Sequence, residues 1–212
     1  MNEIQSKTFE TEQENFWAGE FGSNYIDRNI GEKLLGANLG FFSHALKSAK
    51  KIESCLELGA NVGMNLQALK LLFPDMNQYG VEINPRAADK LAEVIGNHNV
   101  FRGSILEFSS AETFELILIK GVLIHINPKM LGAVYQKLYD YTKKYILICE
   151  YYNPTPVEVN YRGHDEKLFK RDFAGEMLNN FTDLTLLDYG FVYHRDPVFP
   201  QDDMTWFLLR KG

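Results

Sequence analysis

The residues best suited to chemistry begin in the segment CLELGANVGMN, residues 55 to 65. Gly59, Asn61 and Gly63 directly follow an apolar run, and glycine and asparagine tolerate the positive φ of a tight turn better than other residues. Such a turn between a strand and a helix favours a nucleotide-binding loop. The spacing differs from the dinucleotide fingerprint G-x-G-x-x-G/A, because Met64 stands where that fingerprint has a small residue. The segment therefore predicts a nucleotide loop of another kind, or only a tight turn.

A second polar residue of interest is Glu82, near the end of the apolar run YGVEI. A carboxylate at the end of a second strand can accept hydrogen bonds from both hydroxyls of a ribose. Glu82 follows the glycine-rich loop by about 20 residues, which is the usual distance of such an acid. The alternative is a solvated glutamate at a strand end.

These side chains need a scaffold of parallel strands to bring them together. Short β-type apolar runs alternate with segments whose apolar residues recur at helical spacing. The predicted strands are 54–58, 79–83, 99–103, 115–120 and 145–151, and the predicted helices are 64–73, 85–95 and 128–144. This alternation predicts βαβ units and a parallel sheet buried on both faces. Residues 184–194 and 204–211 have no helix between them and predict an antiparallel pair at one side of the sheet.

Length and composition favour one α/β unit. The 212 residues, 45% of them hydrophobic, suffice for one well-formed core and are few for two. We expect an N-terminal helical cap over residues 1–50 and one compact domain over 51–212. Cys55 and Cys149 lie in apolar strand-like runs and predict reduced core residues, not a metal pair.

The charge of the chain disfavours nucleic acid as a partner. Its 22 basic and 28 acidic residues give a net charge of -6, and no basic stripe is visible. No run resembles a signal peptide or reaches the length of a membrane span. We therefore expect a cytoplasmic protein without a membrane partner, and the oligomeric state stays open.

The chain resembles a known family over nearly its full length. The segments that carry the likeness are FWAGEFGSNYIDRN, LELGANVGMN, KGVLIHINP, ICEYYNPTPVEVNYRGH, LFKRDFAGEML, DYGFVYHRD and DDMTWFLL. They are similar to the pseudaminic acid biosynthesis-associated methylases, which are class I S-adenosylmethionine-dependent methyltransferases. The loop that begins at Glu57 matches their E/D-x-G-x-G-x-G pattern, with Asn61 for the middle glycine. The resemblance implies a Rossmann-like, mostly parallel seven-stranded sheet of order 3-2-1-4-5-7-6, with helices on both faces and the last strand antiparallel.

The resemblance also implies S-adenosylmethionine as cofactor, with S-adenosylhomocysteine as its product. Ser104 and Ile105 occupy the adenine-reading position, where many relatives have aspartate in place of the serine. Lys120 and Gly121 flank the methionine end, and Tyr25 and Arg28 belong to the cap over the methionine carboxylate. The predicted cofactor-binding residues are Gly59, Asn61, Gly63, Glu82, Ile83, Ser104, Ile105, Lys120, Tyr25 and Arg28.

The segment EYYNPTPVEVNYRGH, residues 150 to 164, follows the fifth strand and so predicts a wall of the acceptor site. Tyrosines offer aromatic area with a polar tip, and arginine binds carboxylates or phosphates through two hydrogen bonds. The predicted substrate-binding residues are Tyr151, Tyr152, Asn153, Arg162, Lys170 and Arg171. They predict a small anionic acceptor. The alternatives are ordinary packing aromatics and, for Lys170 and Arg171, a solvated and ion-paired helix start.

The acceptor atom decides whether a catalytic base is needed. A hydroxyl must lose a proton, and His164, Glu150 or His125 are the predicted bases, whereas a neutral amine or a carboxylate needs none. A structural role for His125 and a solvated His164 are the alternatives. Asp202 and Asp203 predict a turn, and no metal site is expected. We expect a methyltransferase for a sugar or nucleotide-sugar of pseudaminic acid biosynthesis; the alternatives are a protein or RNA acceptor, or a non-catalytic cofactor-binding protein.

Overall fold

The computed structural model describes residues 8–26 and 30–212, so the predicted Arg28 contact lies outside the described residues. Its strands are β1 (Ser54–Leu58), β2 (Asn77–Glu82), β3 (Val100–Arg102), β4 (Phe114–Lys120), β5 (Thr142–Glu150), β6 (Val157–Glu158), β7 (Phe169–Lys170), β8 (Leu184–Val192) and β9 (Met204–Lys211). Seven of them form a sheet of order β3-β2-β1-β4-β5-β9-β8, and β6 and β7 form a separate pair. The sheet is parallel from β3 to β5, and β9 runs antiparallel to both β5 and β8. This order confirms the predicted Rossmann-like methyltransferase fold.

The helices cover both faces of the sheet. They are α1 (Glu12–Ala18), α2 (Glu20–Tyr25), α3 (Glu32–Ala45), α4 (Met64–Leu72), α5 (Pro85–Ile95), α6 (Leu131–Asp140) and α7 (Phe173–Asn180). Helices α3, α4 and α5 pack in one apolar cluster, and α6 and α7 pack in the other. Strand β4 shows why two clusters form: Ile117 and Ile119 point into one, and Leu116 and Leu118 into the other.

The helix predicted over 128–144 is shorter than its pattern indicates. Pro128–Met130 forms a 3-10 turn, α6 ends at Asp140, and Thr142–Lys144 already belong to β5. Thr142 pairs with Phe114 of β4, so ladder hydrogen bonds replace further helical ones. The neighbouring strand decides this boundary.

The N-terminal region is helical as predicted, but its first helical segment is interrupted. Gly19 lies between α1 and α2 in an extended conformation, with φ −88° and ψ −153°, and so breaks the helical run. Helix α3 packs against α4 and the β8–β9 end of the sheet. The division at residue 50 stays a prediction.

Both cysteines lie in the core as free thiols, as the sequence predicts. Burial raises the pKa of Cys149 to about 12, so this thiol stays protonated at neutral pH. Among the described residues, no helix combines the length and the apolar character that a membrane crossing requires.

Candidate functional site

A cavity of about 520 Å³ lies at the carboxyl ends of β1, β2 and β4. Its floor comes from the loops that follow these strands and β3, with residues 59–62, 81–84, 103–106 and 120–122. Open α/β sheets bind ligands at this edge, and the volume suits a ligand of nucleotide size. The four loops that the sequence singled out therefore meet at one cavity.

The glycine-rich loop has the backbone geometry that its sequence predicts. Gly59, Asn61 and Gly63 have φ of +77°, +48° and +82°. A Cβ added at Gly59 would lie 2.5 Å from Cγ2 of Val122, so close packing as well as φ requires glycine there. Gly63 does not line the cavity, and its role is to turn the chain into α4.

Glu82 is the polar centre of the cavity floor. Its side chain is buried, with 7% exposed, and lines the cavity beside Ile83. Oε2 accepts a hydrogen bond from the Asn61 N–H and Oε1 accepts one from the Asn84 N–H, both over 2.7 Å. The Ile83 N–H also faces this carboxylate, which has about four acceptor positions, so acceptor capacity remains for a ligand hydroxyl. Burial raises the pKa of Glu82 to about 7.

The loop after β3 is completed by a residue from the N-terminal cap. The Ser104 hydroxyl donates to Oε1 of Glu14 and accepts from the Leu106 N–H at 3.0 Å. Ile105 and Leu106 form apolar wall beside this pair. Sequence reasoning missed Glu14, because the segment T-x-x-E that contains it is also the usual signature of a helix capping box. Glu14 does form that capping box, with Thr11.

Lys120 brings a positive charge to the cavity at the end of β4. Its Nζ lies 5.8 Å from the centroid of the Phe41 ring. Two buried carboxyls, Glu57 of β1 and Glu150 of β5, flank it on the adjacent strands. Burial raises the pKa of Glu57 to about 8 and that of Glu150 to about 7, and the Lys120 charge opposes both shifts.

The same two carboxyls are only partly hydrogen bonded. Oε1 of Glu57 accepts from Asn65 Nδ2 at 2.6 Å, and Oε1 of Glu150 accepts from the N–H groups of Val122 and Leu123, both at 2.9 Å. Within the described part of the chain, Oε2 of each carboxyl is buried without a partner. Neither side chain lines the cavity, so the predicted base Glu150 supports the floor from below.

The helices α1 and α2 form a lid over the cavity, to which Trp17 and Tyr25 contribute lining. The lid is fastened by Asn84. Its Nδ2 lies 3.2, 3.3 and 3.2 Å from the carbonyl oxygens of Trp17, Ala18 and Gly19, and 3.1 Å from Oγ of Ser23. Its Oδ1 caps helix α5 at the same time, so one side chain joins the lid to the floor.

His125 is buried under the lid and lines the cavity. Its Nδ1 lies 2.6 Å from the carbonyl oxygen of Lys167, so Nδ1 carries the proton and Nε2 is an acceptor. Burial lowers the pKa of His125 to about 4, which keeps the ring neutral. The other predicted histidine base, His164, is exposed, packs against the rings of Phe16 and Phe21, and does not line the cavity.

Of the predicted substrate-binding residues, Tyr151 and Lys170 come closest to the cavity. The Tyr151 hydroxyl is hydrogen bonded to Asp202, a lining residue, and burial and this carboxylate together raise the pKa of the hydroxyl. Nζ of Lys170 lies 5.2 Å from the centroid of the Tyr151 ring. Neither side chain lines the cavity itself; Tyr151 lies one contact away from it, through Asp202, and Lys170 lies beside Tyr151.

The other four side chains point elsewhere. Tyr152 is 42% exposed beside Phe207, and Nε of Arg171 pairs with Oε1 of Glu176 at 2.7 Å. Asn153 donates to the carbonyl oxygen of Thr155, and the Arg162 guanidinium lies 5.6 Å from the Tyr161 ring. None of the four lines the cavity. The ion-paired helix start at Arg171 was one of the alternatives for this segment.

Sequence reasoning missed the end of the cavity that lies beside α3 and the β8–β9 connection. Gln201 donates from Nε2 to Oδ1 of Asn38 at 3.2 Å, and both amides are buried and line the cavity. Oε1 of Gln201 is buried without a partner in the described residues. Nearby, Nδ1 of His194 lies 2.8 Å from Oδ1 of Asp203. The two amides are 163 residues apart in sequence, so no local pattern connects them.

No protein-family model matches the chain, and no curated protein is similar enough in sequence to count as a relative. Solved structures are similar in fold. The magnesium protoporphyrin IX methyltransferase of Synechocystis PCC 6803, with bound S-adenosylmethionine, has a TM-score of 0.68 and 10% identity over 97% of this chain and 100% of that one.

Two further structures give the same result. The 1,6-didemethyltoxoflavin-N1-methyltransferase of Burkholderia thailandensis, with S-adenosylhomocysteine, has a TM-score of 0.72 and 15% identity, over 98% of this chain and 93% of its own. The plantazolicin methyltransferase BpumL, also with S-adenosylhomocysteine, has a TM-score of 0.64 and 15% identity, over 94% of each chain. The chain therefore has the fold of the class I methyltransferases.

Proposed function

We propose that this chain is an S-adenosylmethionine-dependent methyltransferase that acts on a small anionic acceptor, a sugar or nucleotide-sugar of pseudaminic (nonulosonic) acid biosynthesis. One observation carries the cofactor part of this proposal. The positive-φ loop at Asn61 and the buried carboxylate of Glu82 are hydrogen bonded to each other on the floor of one cavity. Structures of the same fold bind this cofactor or its product.

The residues of the cavity fit the proposed cofactor. Glu82 would accept from the ribose, Ile83 and Ile105 would enclose the adenine, and the loop at Gly59 and Asn61 would lie against the methionine end together with Tyr25. Gly121 supports this arrangement, because it lines the cavity with φ +67° and a Cβ there would meet no atom within 4 Å. The backbone is thus open to a ligand at this point. When bound, S-adenosylmethionine supplies an electrophilic methyl group on a sulfonium.

The acceptor part of the proposal rests on charge and amide groups. Lys120 lines the cavity, and Lys170 lies beside Tyr151, whose hydroxyl is hydrogen bonded to the lining residue Asp202. Lysine ammonium groups on a chain of net charge -6 favour an anion at this place. The amides of Asn38 and Gln201 suit the hydroxyls of a sugar. Oε1 of Gln201 is buried without a donor among the described residues, so it can accept a hydrogen bond from such a hydroxyl.

For a hydroxyl acceptor, His125 is the base that the geometry favours. Its neutral ring offers Nε2 as proton acceptor, while the Lys167 carbonyl holds the ring through Nδ1. Positioning of the acceptor in line with the methyl group supplies most of the remaining catalysis. An amine or carboxylate acceptor needs only this positioning.

Calorimetry with S-adenosylmethionine and S-adenosylhomocysteine tests the cofactor assignment. Binding in the micromolar range is expected, and no heat at high micromolar ligand would overturn it. The acceptor is tested with methyl-labelled cofactor and a panel of nonulosonate intermediates, with mass spectrometry as readout. Label on a sugar supports the proposal. Label on a protein or RNA acceptor, or cofactor binding without transfer to any acceptor, would replace it with one of the alternatives.

A further inference from the structure

Glu14 brings a negative charge to the part of the cavity formed by the loop after β3. It lies on α1, is only 8% exposed, and lines the cavity beside residues 103–106. Oε2 accepts from the N–H and the hydroxyl of Thr11, at 2.9 and 2.8 Å, and Oε1 accepts from Ser104. A carboxylate has about four acceptor positions, so these three bonds leave one for a ligand.

Ser104 has less hydrogen-bonding capacity left for a ligand than its sequence position suggests. Its only hydroxyl proton goes to Glu14, and one lone pair accepts from the Leu106 N–H. The hydroxyl is thus left with one neutral acceptor position. A hydrogen bond to the Glu14 carboxylate is charge-assisted and about twice as strong as one to a neutral oxygen. The neighbouring side chains Ile83 and Ile105 offer a ligand apolar contact surface but no hydrogen bonds.

We infer that Glu14 selects adenine in the cavity by accepting a hydrogen bond from its 6-amino group, with Ser104 as the residue that positions the carboxylate. This inference rests on the proposed function, since it assumes that the ligand is an adenosyl compound. An amino group donates to the carboxylate, whereas the 6-oxo group of hypoxanthine is an acceptor that the carboxylate repels. The N-terminal lid therefore carries the residue that determines specificity for the base.

The test compares two ligands by calorimetry on the full chain: S-adenosylhomocysteine and its 6-oxo analogue S-inosylhomocysteine. The unsubstituted protein should bind the adenosyl compound about 10- to 100-fold more tightly. Glu14→Gln should bring this ratio to within about 3-fold, because an amide offers both a donor and an acceptor. The substitution is conservative for the lid, since glutamine also satisfies a capping box. Ser104→Ala removes the donor that positions the carboxylate and should lower the ratio part of the way. Glu12→Gln, at an exposed glutamate of the same helix that does not line the cavity, is the matched control and should keep the ratio.

Each outcome separates the inference from the proposed function. If the unsubstituted protein binds neither ligand, the proposed function fails and the inference fails with it. If it binds both equally, or if Glu14→Gln keeps the ratio with an unchanged melting temperature, the inference alone is overturned. Loss of the ratio in Ser104→Ala but not in Glu14→Gln would assign the selection to Ser104. If Glu14→Gln folds poorly, the inference is still tested by the ratio of the two affinities in the unsubstituted protein and in Glu14→Asp, which keeps the charge. Equal binding of the two ligands by the unsubstituted protein overturns it.

Discussion

The N–H of Asn61 donates a hydrogen bond to Oε2 of Glu82 over 2.7 Å, and thereby joins the loop after β1 to the end of β2. Oε1 of the same carboxylate accepts from the Asn84 N–H over the same distance. One buried side chain thus holds two turns of the cavity floor. Because Glu82 also lines the cavity, its replacement should affect binding and stability together.

Glu82→Ala should weaken the binding of S-adenosylhomocysteine at least about 10-fold and lower the melting temperature. The substitution removes the proposed ribose acceptor and leaves the N–H groups of half-buried Asn61 and buried Asn84 without their acceptor, which costs about 1–3 kcal/mol at the buried one. Glu82→Gln keeps one acceptor oxygen and should lose less affinity and less thermal stability than Glu82→Ala. Calorimetry and thermal unfolding measure them, and an affinity unchanged in Glu82→Ala would contradict the ribose assignment.

The free energy of unfolding should fall as the pH rises from 6.5 to 8. Burial raises the pKa of Glu57 to about 8, and of Glu82 and Glu150 to about 7, from an ordinary 4.5. Between pH 4.5 and these values the folded protein therefore binds more protons than the unfolded chain, so stability is lost as the pH rises toward them and levels off above them. His125, with its pKa lowered from 6.5 to about 4, acts in the opposite direction only below pH 6.5.

Denaturant unfolding at several pH values measures this fall, which amounts to at most about 1.4 kcal/mol per pH unit for each carboxyl. Glu57→Gln is the matched variant, because its amide oxygen can still accept from Asn65 but its side chain does not ionise. The variant should show a shallower fall than the unsubstituted protein. Stability that is flat or rising over this range would contradict the raised pKa values.

Asn84→Asp should loosen the lid while helix α5 keeps its cap. Aspartate retains the acceptor for the Arg86 and Ala87 N–H groups, but it loses the two amide protons that face the carbonyls of residues 17–19. Hydrogen exchange should become faster in residues 12–25. Asn84→Ala removes the cap as well and should also destabilise α5 by about 1 kcal/mol. Unchanged exchange over 12–25 in both variants would show that other contacts hold the lid.

The His125 ring should stay neutral, with its proton on Nδ1, from pH 5 to 8. Burial lowers its pKa to about 4, and the Lys167 carbonyl accepts from Nδ1. Long-range proton–nitrogen correlation spectra report both the tautomer and the titration of histidines, and His125→Gln identifies the signal. A His125 resonance that titrates near pH 6.5 would contradict the lowered pKa, and a proton on Nε2 would exclude His125 as the proposed base.

Local sequence predicted the regular elements of the fold well. The strand over 54–58 and the helix over 85–95 have the predicted bounds, because apolar periodicity, Asn84 and Pro85 all specify them nearby in the chain. The positive φ values at Gly59 and Gly63 were likewise predicted from residue type. The end of α6 was predicted too late, because pairing with β4, which the local pattern does not report, draws Thr142 into β5.

Sequence by itself determined the alternation of strands and helices, and hence the loops that meet at the cavity floor. In a parallel sheet the carboxyl ends of strands share one edge, so Gly59, Glu82 and Lys120 had to lie near one another. Tertiary structure alone decided what covers that floor. The directions of Glu14, Gln201 and Tyr152 depend on how a helix and irregular segments pack onto the sheet, and these contacts join residues far apart in the chain. A local sequence pattern carries no information on the energies of such long-range contacts, so only the folded chain shows which side chains reach the cavity.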